Sequence, residues 1–240
     1  MLTKKIYGLI GKNIEYSFSR NYFNNKFKKL KISDAEYKNF DLSDISEFEK
    51  IDLSNVLGFN VTIPFKQDII TVIDKVSEDA LKIGAVNTIK ISNNKLIGFN
   101  TDHIGFSKSL NGKKFENALV FGSGGASKAI KFSLNNLGIK FNIVSRKKNP
   151  DLISYDNLDK EIINSDLLIN TTPLGTFPNI DKKINIPYHL INKDHTCYDL
   201  VYNPNKSSFL SKCEIQGASI KNGLEMLELQ AEASWNIWNS

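Results

Sequence analysis

Residues 118–146 read ALVFGSGGASKAIKFSLNNLGIKFNIVSR. A short apolar run over 118–121, suited to a fully buried strand, passes into Gly122-Ser123-Gly124-Gly125-Ala126. A helical pattern follows over 126–136, Gly138 closes it, and a second strand pattern occupies 140–144. Strand, glycine turn, helix and strand form the βαβ opening of a dinucleotide-binding sheet. Glycines there permit the tight turn and let a pyrophosphate approach the N–H groups at the helix N-terminus. Ser127 stands where G-x-G-x-x-G has its third glycine, so the fingerprint is a variant; the plain alternative is a glycine turn in an ordinary α/β domain.

The residues about 20 positions beyond the first glycine select between nicotinamide cofactors, because an acid there accepts a hydrogen bond from the ribose 2′-hydroxyl. This chain has no acid there. It has Ser145, Arg146, Lys147 and Lys148, a cluster suited to a 2′-phosphate. Arg146 is one of only two arginines, with Arg20, so a lysine-rich composition does not account for it. NADP is therefore favoured over NAD. Further downstream, apolar runs at 167–170 and 197–201 predict additional parallel strands with helical crossovers. Residues 225–238 predict a closing helix with Met226, Leu229, Ala233 and Ile237 near one face.

Upstream of residue 103 the texture changes. Short apolar segments at 6–10, 35–40 and 58–62 alternate with helix-like stretches, which predicts a separate α/β domain with a short hinge near 102–106. Polar clusters follow apolar runs at Ser17 and Ser19; at Asn60, Thr62 and Lys66; at Asn87 and Thr88; and at Asn100, Thr101 and Asp102. If those runs are parallel strands, their C-terminal ends bring the clusters to one cleft. Taken singly each cluster is a cap or a turn; their repetition points to a cradle for a small polyhydroxylated acid. Lys66 follows Pro64 and is flanked by Val61, Ile63, Phe65 and Ile69, which predicts partial desolvation of its ammonium. A lysine and an aspartate can relay a proton to or from a hydroxyl while a cofactor moves the hydride. The plain alternatives are a surface lysine and a helix N-cap.

Composition bounds the rest. The 240 residues are 41% hydrophobic and 24% charged, enough for one large or two small globular domains. Thirty-one basic against 26 acidic residues give +5. Because nearly all of the positive charge is lysine, the case for a nucleic-acid partner is weak. Cys197 and Cys213 form no CxxC, and His103, His189 and His195 have no metal-ligand spacing, so no metal is expected. No leader-like or membrane-spanning run is present, which predicts a cytoplasmic chain. The expected partner is a small-molecule substrate, taken by a monomer or homodimer.

The segments YGLIGKNIEYSFSRNYFN, GFNVTIPFKQ, IGAVNTI, GFNTDHIGF, VFGSGGASKAI, LLINTTPLG, DLVYNPNKSSFL and NGLEMLELQAEASWNIW, in that order, resemble the shikimate dehydrogenase family. The resemblance implies an NADP-dependent oxidoreductase that interconverts 3-dehydroshikimate and shikimate in aromatic amino-acid precursor (chorismate) biosynthesis. It implies Lys66 as general acid/base paired with Asp102. It also implies a substrate held by Ser17, Ser19, Thr62, Asn87, Tyr202 and Gln230. Cofactor contacts are implied at Gly122, Ser123, Gly124, Gly125, Ala126, Ser145, Arg146, Lys147, Thr171 and Leu200, with Gly223 near the nicotinamide. The fold it implies is α/β: an N-terminal substrate domain over 1–103, a Rossmann-type NADP-binding domain over 104–223, and a C-terminal helix, 224–240, that returns to the first domain.

Several positions depart from the family pattern. Arg20 replaces a proline, Tyr16 and Phe23 replace histidines, His103 replaces a glycine, and Ser145-Arg146-Lys147 replaces N-R-T. None removes the reacting pair, and the last keeps the arginine. Two other readings stand beside this one: a quinate/shikimate dehydrogenase with relaxed substrate or NAD use, and a cofactor-binding regulatory protein without turnover.

Overall fold

The computed structural model describes residues 4–15, 17–146, 150–156 and 158–240. The elements begin with β1 (Lys5–Gly11), α1 (Phe18–Lys29), β2 (Ala35–Asp41), β3 (Val56–Val61), β4 (Lys75–Val76), α2 (Glu78–Ile83), β5 (Thr88–Ser92) and β6 (Lys95–Phe99). There follow α3 (Asp102–Ser109), β7 (Asn117–Phe121), α4 (Gly125–Asn136), β8 (Lys140–Val144), α5 (Asp159–Ile163), β9 (Leu167–Asn170), β10 (Thr196–Asp199), α6 (Ser208–Ile215), β11 (Ser219–Lys221) and α7 (Leu224–Trp238). The chain divides into two compact units. One comprises Met1–Thr101 with Ala231–Ser240, the other Asp102–Gln230.

The first unit holds a six-stranded sheet in the order β2-β1-β3-β5-β6-β4. In β1 the side chains alternate, as a strand requires. Tyr7 and Leu9 face a core with Phe23, Phe27 and Tyr37, while Ile10 faces another with Phe59, Val61 and Ile89. β1 runs parallel to β2 and β3, but β5 runs antiparallel to both β3 and β6. The condition of parallel strands is thus not met at β5. The β5–β6 hairpin turns at Asn93 and Asn94, both with positive φ (50° and 57°), the backbone that two-residue hairpin turns need. Its polarity matters for the site: the start of β5, not its end, lies beside the end of β3, with Asn60 paired to Thr88, and Thr88 is paired in turn to Phe99 at the end of β6. Residues 60–62, 87–88 and 100–101 therefore still meet at one sheet edge.

The last residues of α7 complete this unit. Ala231 and Trp238 are buried among Tyr7, Phe23 and Phe27, and the Trp238 indole donates to the Ile89 carbonyl at 3.0 Å. A Cβ at Gly58 would lie 2.3 Å from that indole nitrogen, so only glycine leaves room for the ring. The buried stripe of α7 is Met226, Gln230, Ala231, Ser234 and Trp238. It does not follow Leu229, Ala233 and Ile237, which are only part-buried. Hydrophobicity alone misplaces the stripe because two of the inward residues are polar.

The second unit holds a five-stranded, all-parallel sheet, β11-β10-β9-β7-β8. Leu119 and Phe121 of β7 enter one core and Ala118 and Val120 the other, as expected of a strand covered on both faces. β8 lies on one side of β7 and β9 on the other, so the strand order reverses between β7 and β9. The predicted helical crossover before β10 is absent. Only a 3-10 turn at Tyr188–Leu190 interrupts that connection, and β10 ends at Asp199 rather than 201. Gly105 of α3 packs on α7: a Cβ there would lie 2.5 Å from the Met226 carbonyl oxygen and 2.9 Å from Gln230 Cβ.

Candidate active site

At the sheet edge of the first unit, buried polar side chains form a continuous hydrogen-bonded cluster. The Tyr37 hydroxyl donates to Asn60 Oδ1 at 2.8 Å, and Asn60 Nδ2 donates to Ser234 Oγ at 2.9 Å. Ser234 Oγ lies 2.8 Å from Thr88 Oγ1 and 3.1 Å from Thr101 Oγ1. Asn87 is clamped from both ends of its amide: Thr101 N–H donates to Asn87 Oδ1 at 2.6 Å, and Asn87 Nδ2 donates to Thr101 Oγ1 at 3.0 Å. All six residues are at most 4% exposed, so these bonds hold the groups in place and offset the cost of burying them. Burial holds the Tyr37 phenol well above its usual range, with the Ser19 hydroxyl beside it pulling weakly the other way. Sequence reasoning missed Tyr37 and Ser234. The available signals were a tyrosine at an inward position of an alternating strand and a small polar residue on the packed face of α7.

The other candidates of this unit lie on neighbouring segments. Ser17 caps α1, its hydroxyl accepting from Ser19 N–H at 3.2 Å. The loop before it is pinned by Asp41, whose carboxylate accepts from the N–H groups of Asn13 and Ile14 at 2.9 and 3.0 Å. Thr62 N–H donates to the Ile10 carbonyl at 2.8 Å, which keeps the threonine beside the end of β1. Lys66 is half-buried, and its carbonyl accepts from Val86 N–H at 2.7 Å. Phe65 and Ile69 are buried, whereas Ile63 is 69% exposed. Phe23, at a departure from the family pattern, stacks on Tyr37 at 4.7 Å between centroids and 11° between planes. Tyr16, another departure, lies outside the described residues.

In the second unit Gly122 sits at the end of β7 with φ 107°, and its N–H donates to the Val144 carbonyl at 2.9 Å. A Cβ there would lie 2.7 Å from Thr171 Oγ1, which itself donates to the Phe121 carbonyl at 2.8 Å. Gly124 opens α4 with no side-chain cap, and Cβ atoms at Gly124 or Gly125 would meet nothing within 4 Å. Uncapped N–H groups facing open space at a strand-to-helix turn fit a pyrophosphate. Ala126 is part-buried in the first turn of α4. Ser127 turns inward and donates to the Gly124 carbonyl at 2.6 Å, which explains why a serine serves where a glycine is usual. Ser123 and Ser145 share a hydrogen bond of 2.9 Å across the ends of β7 and β8. Arg146 follows, exposed and close enough to Tyr155 for its charge to be felt there. Lys147 and Lys148 lie outside the described residues.

The ends of β9 and β10 are tied together below this turn. Asn170 Nδ2 donates to Asp199 Oδ1 at 2.9 Å, Val201 N–H donates to the same oxygen at 3.0 Å, and the Ser207 hydroxyl donates to Asp199 Oδ2. The Asp199 carboxyl is pushed up to about 6 by burial, with those three donors pulling downward. This fixes the segments bearing Thr171, Leu200 and Tyr202. Burial also raises the Tyr202 phenol. A Cβ at Gly223 would lie 2.1 Å from the Leu200 carbonyl oxygen, so Leu200 and Gly223 are packed backbone to backbone. Asp102 is buried in the first turn of α3, and His103 beside it packs edge-on against Phe132. Gln230 Nε2 donates to the Leu227 carbonyl at 2.9 Å. Among the described residues no group of three His, Cys, Asp or Glu side chains is placed to hold a metal, and no helix is long and apolar enough to cross a membrane.

A parallel sheet with an open glycine turn at its switch point, carried with an α/β unit whose strand ends gather a lysine, amides and hydroxyls, defines a two-unit nicotinamide-dependent oxidoreductase. The family model of the shikimate dehydrogenase substrate binding domain matches residues 9–89. Shikimate dehydrogenase (NADP(+)) of Methanococcus maripaludis is 41% identical over 255 aligned positions, covering 98% of this chain and 91% of that protein. The shikimate dehydrogenase structure from Aquifex aeolicus superposes with a TM-score of 0.89 at 33% identity, covering 98% of this chain and 92% of that one. The Thermus thermophilus enzyme, solved with NADP(H) and shikimate, gives 0.87 at 27% identity, covering 98% of this chain and 93% of that one. The chain belongs to the shikimate dehydrogenase family.

Proposed function

We infer that this chain is an NADP-dependent shikimate dehydrogenase that reversibly reduces 3-dehydroshikimate to shikimate, a step of aromatic amino-acid precursor synthesis, with Lys66 and Asp102 as its proton-transfer pair. Family membership along nearly the whole chain carries the reading. When bound, NADPH supplies the hydride to the carbonyl carbon. Lys66 gives a proton to the carbonyl oxygen, with Asp102 as its partner in the transfer. Two backbone bonds support this assignment. The Lys66 carbonyl is fixed to Val86 and the Thr101 N–H to Asn87, so the residue bearing the ammonium and the one preceding the carboxylate are both anchored to one dipeptide.

In this reading Ser17, Ser19, Thr62, Asn87, Tyr202 and Gln230 bind the carboxylate and hydroxyls of the substrate. Gly122 through Ala126 receive the pyrophosphate, Ser145 through Lys147 the 2′-phosphate, and Thr171, Leu200 and Gly223 border the cofactor. The organisation that goes with it is a substrate domain ending near 103, a cofactor domain to 223 and a closing helix. The two buried free thiols, Cys197 and Cys213, suit a cytoplasmic protein.

The test is a matrix of initial rates with shikimate or quinate and NADP+ or NAD+. The expected outcome is turnover dominated by shikimate with NADP+. Comparable rates with quinate or with NAD+ would favour the relaxed dehydrogenase, and no rate in any arm would favour the regulatory reading.

A further inference from the structure

We propose that Ser234 is a positioning residue for substrate binding: its hydroxyl, delivered by the C-terminal helix, sets the aim of the Asn87 amide through Thr101. The inference rests on the shikimate dehydrogenase reading above and concerns a residue that reading does not use. Three polar groups converge on Ser234 Oγ: Asn60 Nδ2 at 2.9 Å, Thr88 Oγ1 at 2.8 Å and Thr101 Oγ1 at 3.1 Å. Ser234, Thr88 and Thr101 have no exposed surface, so bulk water does not replace a bond lost there.

The chain of consequence is short. Thr101 Oγ1 accepts from Asn87 Nδ2 at 3.0 Å, so the direction of the threonine hydroxyl decides whether its lone pair faces the amide. Ser234 is one of the groups that sets this direction. The same hydroxyl already lies 3.2 Å from Asn87 Oδ1, to which it donates, and 3.2 Å from Thr88 Oγ1, so losing Ser234 shifts it towards these two partners. Asn60 Nδ2 is then left with the Asn87 carbonyl and Thr88 Oγ1, both at the longer distance of 3.3 Å. Both of these shifts act on residues 87 and 88.

Ser234 also stands on a segment that is firmly docked. Lys26 Nζ bonds Glu232 at 2.7 Å, the Tyr22 hydroxyl donates to the same carboxylate, and Trp238 bonds Ile89. These anchors lie on either side of Ser234 and do not involve its hydroxyl. Deleting that hydroxyl thus changes the hydrogen-bond pattern without undocking the helix.

The experiment compares the full-length parent with Ser234→Ala, Ser234→Thr and Asn236→Gly in steady-state shikimate oxidation with NADP+, alongside thermal melts. Asn236 is exposed on the same helix, and glycine there weakens the helix without touching the cluster. The expected result is a roughly tenfold rise in the KM for shikimate in Ser234→Ala, from unmatched buried polar groups, with the KM for NADP+ within about twofold of the parent. Ser234→Thr, which keeps the hydroxyl, restores the shikimate KM, and Asn236→Gly lowers Tm with the KM unmoved. A parental shikimate KM in Ser234→Ala, or a rise that Asn236→Gly reproduces, overturns the proposal while leaving the enzyme assignment intact. A parent that does not turn over shikimate overturns the enzyme assignment and this inference together. If Ser234→Ala is not recovered folded, Ser234→Cys, with a weaker donor in nearly the same space, carries the same prediction and the same refutation.

Discussion

Asp199 has no exposed surface, yet it carries a carboxyl ringed by three donors. Burial outweighs the donors and lifts its folded pKa from 3.8 to about 6. A carboxyl raised on folding favours the native state below its unfolded pKa, and that contribution is lost as pH rises through the folded value. Between about pH 4 and 6 the native protein should therefore lose on the order of 3 kcal/mol of this contribution. Asp199→Asn cannot titrate, so the Tm difference between variant and parent should shift in the variant's favour across that window. A difference that stays flat with pH contradicts the assignment. The glycine turn supports a second prediction at this scale. Gly122→Ala forces a side chain into φ 107° and against Thr171, at a cost of about 1 to 3 kcal/mol seen as a lowered Tm. Gly124→Ala meets open space, so it should melt like the parent while its Kd for NADP+ rises at least roughly tenfold, because the methyl occupies room the pyrophosphate needs. Calorimetric titration with NADP+ alone checks it.

The elements differ in how far their sequences announce them. β7 and β9 were legible because strands covered on both faces read as unbroken apolar runs, and α4 and β8 because glycines mark the turns before and after the helix. β5 and β6 were not, because Lys90 and Lys95 break the apolar pattern and Asn93-Asn94 resembles a loop. α7 was visible as a helix but not by its face, since Gln230 and Ser234 are buried for their hydrogen bonds rather than their hydrophobicity. The same limit governs the site. Lys66, Asn87 and the glycines could be singled out by motif, whereas Tyr37 and Ser234, which bond within the polar cluster, and Asn170 and Ser207, which hold Asp199, come from distant elements and belong to no motif read there. The docking of α7 is itself testable. Trp238→Ala empties a site packed against Tyr7 and Phe23 and should cost about 3 to 5 kcal/mol in denaturant melts. Trp238→Phe, losing mainly the bond to the Ile89 carbonyl, should cost about 1 kcal/mol.

At the scale of the whole chain, the net charge of +5 is carried by lysines spread along the sequence, and what the protein does is decided by a few positions in each unit. In the proposed mechanism Lys66 moves the proton while the cofactor moves the hydride. The measurement that tests it most directly is the rate of 3-dehydroshikimate reduction by NADPH at saturating concentrations for the parent and for Lys66→Ala, with NADPH affinity measured separately in both. The account predicts that kcat falls roughly 10²- to 10⁴-fold, the usual worth of a positioned acid or base, while NADPH binds both proteins equally well. A Lys66→Ala enzyme that turns over within about threefold of the parent would contradict it.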